Sequence, residues 1–344
     1  MSTSTAVALD ITRRGEVGDE LYSELSSLVI GQDAAVTKIV EAYQVMHAGL
    51  QAPRKPLGSF LFLGPTGTGK TRLVEALAQT LHGSVANVVK VDCAEFAHGH
   101  EIAKLIGSPP GYLGHRETHP ALSQEVIDAS RSENNPISLI LFDEIEKASD
   151  TLWNLLLGIL DKGTLTLGDN RRVRFMQSII FMTSNVGARE ISRVGSPALG
   201  FASAPTGGDE ISRVGLESVR KKFTPEFLNR IDNTVVFQPL EPEHLRAILD
   251  LELKAIYDRI LNATISGFLK TRFLVNVTAG AKSRLLELGN DKKYGARFLK
   301  RTLERCVMTP IVNLLASEQI KDGDVVEVVA SGEELLFQRI PATL

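Results

Sequence analysis

The sequence predicts an α/β protein whose larger part is a parallel sheet with helices on both faces. Between residues 59 and 237, short apolar runs of strand length alternate with stretches whose apolar residues recur at helical spacing. Such alternation favours a parallel sheet, because a crossover helix connects each pair of parallel strands. Beyond Pro239 the pattern changes to one long helix followed by mixed helices and strands. This change predicts a second, smaller α+β domain.

The elements of the larger part follow from these patterns in order. Two amphipathic helical stretches occupy 19–50 and are separated by 29–32 (VIGQ). The predicted strands are 59–63, 86–91, 137–142, 178–183 and 233–237. The predicted helices are 70–82, 99–106 and 149–162, and a hairpin-like segment follows near 164–175. The hexapeptide EISRVG occurs at 190–195 and again at 210–215, which we interpret as a local duplication that lengthened a surface loop.

Three units are expected along the chain. A flexible leader rich in serine and threonine covers 1–18, a large α/β domain covers 19–238, and a small C-terminal lid domain covers 239–344. In the small domain, the predicted helices are 242–262, 278–289 and 296–317, and the predicted strands are 271–277, 324–330 and 334–340.

Composition limits the classes of function. The 344 residues carry a formal net charge of −3, which provides no general attraction to nucleic acid or to anionic lipid. Cys93 and Cys306 lie far apart and suggest neither a disulfide framework nor a zinc motif. The first residues lack the pattern of a secretory signal, and no apolar run is long enough to cross a bilayer. We therefore expect a cytoplasmic protein without membrane or nucleic-acid partners.

Residues 64–71 (GPTGTGKT) fit the phosphate-binding pattern G-x-x-x-x-G-K-[ST]. The glycines allow a tight turn in which backbone N–H groups face phosphate oxygens. Lys70 can reach the terminal phosphates, and the Thr71 hydroxyl can bind Mg²⁺. The loop follows a predicted strand and begins a predicted helix, which places its anion site at a helix N-terminus. The predicted ATP- or GTP-binding residues are Gly64, Pro65, Thr66, Gly67, Thr68, Gly69, Lys70 and Thr71.

Two adjacent carboxylates follow the predicted strand 137–142. Asp143 suits the coordination of Mg²⁺ together with Thr71, and Glu144 suits activation of the attacking water as a general base. One solvated acid after a strand is common, whereas an acidic pair in a chain with a phosphate-binding loop indicates a functional site at the nucleotide. Two carboxylates with separate roles indicate hydrolysis rather than nucleotide binding alone.

These motifs are similar to those of the AAA+ ATPases and, within them, of the second ATPase module of the Clp protein unfoldases ClpA, ClpB and ClpC. The resemblance covers about residues 20–340. The segments that carry it are 29–36 (VIGQDAAV), 141–148 (LFDEIEKA), 182–185 (MTSN), 227–232 (FLNRID) and 295–297 (GAR).

The resemblance implies a role for each of these segments. The backbone of Val29 and Ile30 would contact adenine, and Asn185 would be sensor 1, which hydrogen-bonds the γ-phosphate or the attacking water. Arg230 would be the arginine finger that reaches the ATP of a neighbouring subunit. Arg297 would be sensor 2, which reports the nucleotide state to the small domain. The implied cofactors are ATP and Mg²⁺.

Two segments resemble the pore loops of Clp rings. Residues 107–114 (GSPPGYLG) resemble the first pore loop, and the resemblance implies that Tyr112 and Leu113 grip an unfolded chain. An aromatic ring suits that task, because it offers a large apolar area with little sequence preference. Residues 163–175 resemble the second pore loop. A metal site is a disfavoured alternative for the neighbouring histidines, which lack an acid or cysteine at ligand spacing: His98, His100, His115 and His119.

The expected function is ATP-driven unfolding or remodelling of unfolded or tagged proteins by a homo-hexameric ring. The sequence has one ATPase module and no coiled-coil insertion, so a single-ring form is expected. Leu199, Gly200 and Phe201 resemble the tripeptide that docks Clp unfoldases on a ClpP-type peptidase, although packing of Phe201 on its own domain is an equal alternative. The alternative function is an AAA+ ATPase that acts on nucleic-acid-bound complexes, as a loader or transposition regulator. The negative charge and Tyr112 argue against it.

Overall fold

The computed structural model describes residues 10, 13–108, 119–194, 208–267, 271–291 and 294–340. The described strands are β1 (Gly58–Leu63), β2 (Val88–Asp92), β3 (Ser138–Asp143), β4 (Thr164–Thr166), β5 (Arg172–Arg174), β6 (Ser178–Ser184), β7 (Asn233–Val236), β8 (Phe273–Val277), β9 (Asp324–Ser331) and β10 (Glu334–Ile340). The described helices are α1 (Glu16–Leu28), α2 (Asp33–His47), α3 (Lys70–His82), α4 (Ala103–Ile106), α5 (Gln124–Ala129), α6 (Asp150–Lys162), α7 (Ala188–Val194), α8 (Gly208–Lys222), α9 (Pro225–Leu228), α10 (Pro242–Ile265), α11 (Ala279–Gly289), α12 (Gly295–Leu303) and α13 (Thr309–Ala316).

The large domain is built on a parallel sheet with the strand order β2-β3-β6-β1-β7. Every residue of β1 and β6 is buried, as expected for central parallel strands that are covered on both faces. In the register of the sheet, Leu63 at the end of β1 lies opposite Ser184 at the end of β6. Asp92 at the end of β2 likewise lies opposite Asp143 at the end of β3. The loops that follow these strands therefore meet at one edge of the sheet, where open α/β folds bind their ligands.

Helices cover both faces of this sheet, which confirms the predicted fold class. On one face, α1, α2 and α3 contribute buried residues such as Leu25, Ile39 and Leu73. On the other face, α6 and α9 contribute buried residues such as Leu156 and Phe227. Because α3 and α6 lie on opposite faces of the sheet, each packs into a different hydrophobic core. Both helices lie next to the edge of the sheet where the loops meet.

The small domain packs its helices against a sheet with the order β10-β9-β8. β8 runs parallel to β9, and β10 runs antiparallel to it. Its core includes Leu249 of α10, Leu285 of α11, Leu299 of α12 and Val328 of β9. The predicted helix 296–317 is interrupted by a π-helical segment at Glu304–Met308, between α12 and α13. A π-helical turn inserts an extra residue and shifts the helix face, which apolar periodicity alone does not reveal.

The structure corrects the interpretation of the EISRVG repeat. Residues 190–194 belong to α7 and 210–215 belong to α8, and Ile191 and Ile211 are both buried. A Cβ at Gly215 would lie 3.0 Å from Val236 and 3.3 Å from Ile191, so this glycine lets α8 approach its neighbours closely. The described part of the repeat is therefore packed helix, and its reading as a lengthened surface loop was wrong there.

A smaller difference concerns the N-terminal part of the chain. α1 begins at Glu16, inside the segment 1–18 that the sequence analysis assigned to a leader. Glu16 and Asp19 supply negative charge in the first turn, which favours a helix start there. Among the helices that the structure describes, none combines the length and the apolar character needed to cross a bilayer.

Candidate nucleotide-hydrolysis site

The phosphate-binding loop leads from β1 into α3 and depends on glycine. Gly64, Gly67 and Gly69 have φ angles of +138°, +80° and +105°, which residues with a side chain rarely adopt. A Cβ at Gly67 would lie 2.1 Å from the carbonyl oxygen of Tyr294, so the small domain touches the loop at this point. The loop ends at Lys70, the first residue of α3. It therefore presents the N-terminus of a 13-residue helix to the site.

Lys70 is the buried cation of the loop. Its Nζ donates to the carbonyl oxygens of Gly64 (2.7 Å) and Pro65 (2.9 Å) and to Oδ1 of Asn185 (2.9 Å). Burial lowers the pKa of Lys70 to about 8, although the negative charges of Glu146 and Asp143 oppose this shift. A buried ammonium group whose partners are mostly neutral oxygens gains from an anionic ligand. Its environment therefore fits a nucleotide phosphate.

Asp143 and Thr71 face each other across the site. The Thr71 hydroxyl lies 3.5 Å from Oδ1 of Asp143, and the Thr183 hydroxyl of β6 donates to the same oxygen. The end of β3 and the start of α3 thus bring two oxygen ligands together. Mg²⁺ in nucleotide sites takes few protein oxygens and keeps waters and phosphate oxygens, so this pair fits Mg²⁺. Thr183 was quoted in the MTSN motif but was given no role.

Glu144 follows β3 in a backbone conformation with φ of +57°, which is uncommon for a residue other than glycine. Its N–H donates to the Thr183 hydroxyl at 3.0 Å. Oε2 forms an ion pair with Lys147, and the Lys147 pKa is raised mainly by this hydrogen bond. Oε1 lies 3.4 Å from Nδ2 of Asn185. The carboxylate is therefore aimed at the same edge as Lys70.

Asn185 joins the two chemically important side chains of the site. Its side-chain oxygen accepts from Lys70 and its amide nitrogen lies against Glu144. Its backbone N–H donates to Oε1 of Glu146 at 3.1 Å, while Oε2 of Glu146 is buried and has no hydrogen-bond partner among the described residues. Sequence analysis did not single out Glu146, although it lies within the quoted LFDEIEKA segment.

The segment 29–32 lies against the phosphate-binding loop. Val29 is buried, and its Cγ1 would be 3.8 Å from a Cβ at Gly69, while Ile30 is half-buried. Gln32 donates to the carbonyl oxygens of Thr68 (3.1 Å) and Gln238 (2.9 Å) and accepts from the N–H of Gln238 (3.0 Å). Gln32 thus ties the phosphate-binding loop to the domain boundary. Sequence analysis missed this role, because only the burial of its side chain in the structure distinguishes Gln32 from an exposed glutamine.

The small domain contributes the start of α12 to the site. The N–H of Ala296 donates to the carbonyl oxygen of Gly67 at 3.1 Å. A Cβ at Gly67 would lie 3.3 Å from the backbone nitrogen of Arg297. The backbone of Arg297 therefore lies beside the phosphate-binding loop, and its role as sensor 2 stays a prediction.

Arg230 lies apart from this cluster within the same subunit. It follows α9 and pairs with Asp161, in the last turn of α6, and more loosely with Glu226 at 3.5 Å. Its side chain is 30% exposed. The structure thus leaves Arg230 partly accessible from outside the subunit and does not place it at the phosphate-binding loop of its own chain.

The structure describes only part of the segments that resemble pore loops. Tyr112 and Leu113 lie outside the described residues, as do Leu199, Gly200 and Phe201. The second pore-loop segment contains the antiparallel hairpin β4–β5, which agrees with its predicted hairpin character. The turn of this hairpin is bonded to the residue that precedes the first pore-loop segment, because the N–H of Gly168 donates to the carbonyl oxygen of Ile106 at 2.8 Å.

The histidines near this region form a ring contact rather than a recognisable metal centre. The rings of His98 and His100 stack with their centroids 5.8 Å apart, and His115 lies outside the described residues. In the described ranges, no three or more histidine, cysteine, aspartate or glutamate side chains gather in an arrangement that could hold a metal ion.

Comparison with known proteins matches both domains. The profile of the AAA domain (Cdc48 subfamily) matches residues 55–234, and the C-terminal D2-small domain of ClpB matches residues 240–328. The chain is 37% identical to the chaperone protein ClpB of Rhodopirellula baltica over 339 residues, which cover 98% of the chain and 36% of that relative. It is 37% identical to the ATP-binding subunit ClpC of the Clp protease from Staphylococcus saprophyticus over 317 residues, which cover 92% of the chain and 37% of that relative. The chain thus spans little more than a third of the length of these relatives.

Solved structures agree with this assignment. A closed-state cryo-EM reconstruction of Hsp104 with ATPγS and FITC-casein matches with a TM-score of 0.78 at 30% identity, over 95% of this chain and 53% of that one. The extended Hsp104–casein complex of S. cerevisiae matches with a TM-score of 0.79 at the same identity and coverage. Because the AAA profile covers more than half of the sequence and the ClpB small-domain profile covers most of the rest, the chain belongs to the AAA family of ATPases, in its Clp group.

Proposed function

We propose that this chain hydrolyses ATP to unfold or remodel proteins, as part of a homo-hexameric ring that threads polypeptide through its centre. The observation that carries the proposal is the cluster in which Asn185 joins Lys70 to Glu144 beside the Asp143–Thr71 pair. This cluster supports hydrolysis, because a phosphate-binding cation, a metal-binding carboxylate and a second carboxylate occupy separate positions. The likeness to ClpB, ClpC and Hsp104 supports the protein-remodelling part.

Each side chain has a part in the proposed mechanism. The N–H groups of the loop and the Lys70 ammonium bind the phosphates of ATP, and Val29 and Ile30 lie along the adenine side. Thr71 and Asp143 would hold Mg²⁺, which supplies positive charge to the phosphate oxygens. Glu144 takes a proton from the attacking water, and Asn185 orients that water. Arg297 contributes charge from the small domain, so hydrolysis can change the contact between the two domains.

The substrate is proposed to be an unfolded polypeptide. Hsp104 was solved with casein, and Tyr112 and Leu113 are the residues proposed to grip such a chain. A nucleic-acid-bound complex is the less favoured substrate, because the matched relatives are protein chaperones and a Clp protease subunit and the net charge is −3. A cytoplasmic location is proposed with this function. Stimulation of the ATPase by unfolded casein, and not by DNA, distinguishes the two substrates.

Tyr112→Ala is expected to abolish unfolding of a tagged fluorescent protein while ATP hydrolysis without substrate continues. The reason is that truncation removes the apolar area that grips the chain but leaves the phosphate site intact. The measurement is the loss of fluorescence under ATP, beside phosphate release. Tyr112→Phe is the matched control and should keep unfolding, because it retains the ring. Unfolding by Tyr112→Ala at the wild-type rate would contradict the pore-loop role.

A ClpP-type peptidase is proposed as a partner through Leu199, Gly200 and Phe201. Phe201→Ala is expected to abolish co-migration with the peptidase while ATPase and ring assembly persist. Each subunit contributes one weak apolar anchor, and several anchors in a ring add by avidity. Phe201→Leu is the control, because an aliphatic side chain can fill the same kind of apolar pocket. If the wild-type ring with bound ATP fails to bind the peptidase, protein remodelling without a peptidase partner is the better interpretation of its function.

A further inference from the structure

Trp153, in the first turn of α6, contacts the loop that carries Glu144. Its indole N–H donates to the carbonyl oxygen of Ile145 at 3.0 Å, and Ile145 directly follows Glu144. The same carbonyl accepts the N–H of Ala148 at 3.2 Å, so the indole is a second donor rather than the sole partner. A non-glycine residue keeps a positive φ only where its surroundings hold it. The indole hydrogen bond, one residue beyond Glu144, is one of the contacts that hold this turn.

The same indole ring contacts the segment that leads to Arg230. Its centroid lies 5.3 Å from the ring of Phe223 and 6.2 Å from that of Phe227, and both phenylalanines are buried. The carbonyl oxygen of Phe227 accepts the N–H of Arg230 at 3.2 Å. A movement of Arg230 therefore moves the backbone of Phe227, and the ring of Phe227 packs against Trp153.

The other end of α6 holds the Arg230 side chain. Asp161 forms the ion pair with Arg230, and these side chains are 35% and 30% exposed. Such partly exposed pairs are weak and exchange readily for another partner. Asp161 is eight residues from Trp153, about 12 Å along the helix axis. Leu152, Leu156 and Ile159 are fully buried, so α6 is fixed between its two contacts.

We propose that Trp153 is a positioning residue that couples adjacent ATP sites in the ring. When Arg230 leaves Asp161 for the phosphate of a neighbouring subunit, Phe227 shifts against the indole. The indole hydrogen bond then transmits this shift to the turn at Glu144. ATP on one subunit thereby aligns the general base of the next. This inference rests on the proposed function, because it requires Arg230 to act across the subunit interface.

The test separates the two contacts of the indole with two variants. Trp153→Phe keeps a ring against Phe223 and Phe227 but removes the N–H donor. We expect kcat to fall about fivefold, the effect of one net hydrogen bond, with unchanged KM for ATP and a loss of sigmoidal ATP dependence. Phe227→Leu keeps the donor but reduces the ring contact with the segment that leads to Arg230. It should retain the maximal rate and lose the sigmoidal dependence. Ring assembly and affinity for a fluorescent ATP analogue are measured for both variants.

The outcomes distinguish failure of this inference from failure of the proposed function. If Arg230→Ala hydrolyses ATP at the wild-type rate, the arginine finger in trans is wrong. If Arg230→Ala is inactive but Trp153→Phe and Phe227→Leu both keep the wild-type rate and sigmoidal dependence, the coupling through Trp153 is wrong. It is equally wrong if the ATP dependence of the wild-type ring is not sigmoidal. A raised KM with unchanged kcat in Trp153→Phe would also overturn it, because the residue would then act on ATP binding. If Trp153→Phe does not assemble, the result with Phe227→Leu decides.

Discussion

Arg230→Ala is expected to lower ATP turnover by about 10³- to 10⁵-fold, the contribution of an arginine delivered across a subunit interface. The affinity for ATP should change little, because the side-chain hydrogen bonds of Arg230 within its own subunit go to Asp161 and Glu226 rather than to the phosphate-binding loop. The transition state of phosphoryl transfer spreads negative charge over the equatorial oxygens, and a guanidinium group can bind several of them. Phosphate release at saturating ATP measures the effect, and a fluorescent ATP analogue measures the affinity.

Mixed rings test whether Arg230 acts on the neighbouring subunit. Lys70→Ala removes the cation that faces the phosphates, so its subunits bind no ATP but still carry Arg230. In mixtures with Arg230→Ala subunits, some interfaces pair a competent ATP site with an intact arginine, and activity should reappear. Arg220→Ala is a matched control, because it removes another arginine that precedes α9 on the chain and should leave turnover near wild type. Freshly assembled mixtures without any activity would count against action in trans.

Glu144→Gln is expected to lower ATP turnover by about 10²- to 10⁴-fold, the usual contribution of a general base, while ATP binding persists. The amide keeps the shape of the side chain but cannot take a proton from water. The contacts that would bind the phosphates, through Lys70 and the loop glycines, remain intact. The variant should therefore accumulate as a ring loaded with ATP. Single-turnover hydrolysis with radiolabelled ATP measures the loss, and size-exclusion chromatography with ATP measures the ring.

A control and a further use accompany this variant. Glu334→Gln changes an exposed acid on β10 of the small domain and should hydrolyse ATP like the wild type. Near wild-type hydrolysis by Glu144→Gln would remove Glu144 from the role of base. If the ring grips polypeptide as proposed, substrates that stay bound to Glu144→Gln in ATP can be identified by mass spectrometry.

Much of the fold was predictable because its signals are local. The strands β1, β3 and β6 are continuous apolar runs, and α3 and α6 show helical apolar spacing, so each is recognisable from a short window of sequence. Lys70 and Asp143 could be proposed for a related reason, because each follows directly from the end of a central strand or its loop, whereas Asn185 was expected only from the resemblance of 182–185 (MTSN) to sensor 1. Parallel strands place such positions at one edge of the sheet whatever the details of packing.

Helix α8 was missed although its apolar residues recur at helical spacing, and Ile211 and Val219 pack into the core of the large domain. Other features depend on residues that are distant in sequence and leave no local pattern. Gln32 is an ordinary polar residue in sequence, and its role depends on Thr68 and Gln238, which are 36 and 206 residues away.

The sequence by itself determined the α/β class, the phosphate-binding loop and the paired carboxylates, because backbone preference and apolar periodicity act over a few residues. Only the tertiary structure decided that Asn185 joins Lys70 to Glu144, that Ala296 of the small domain bonds Gly67, and that α6 reaches both the turn after Glu144 and Arg230. Hydrogen bonds and ion pairs require atoms to lie within about 3 to 3.5 Å of each other. Such proximity between distant residues is set by the packing of the helices onto the sheet.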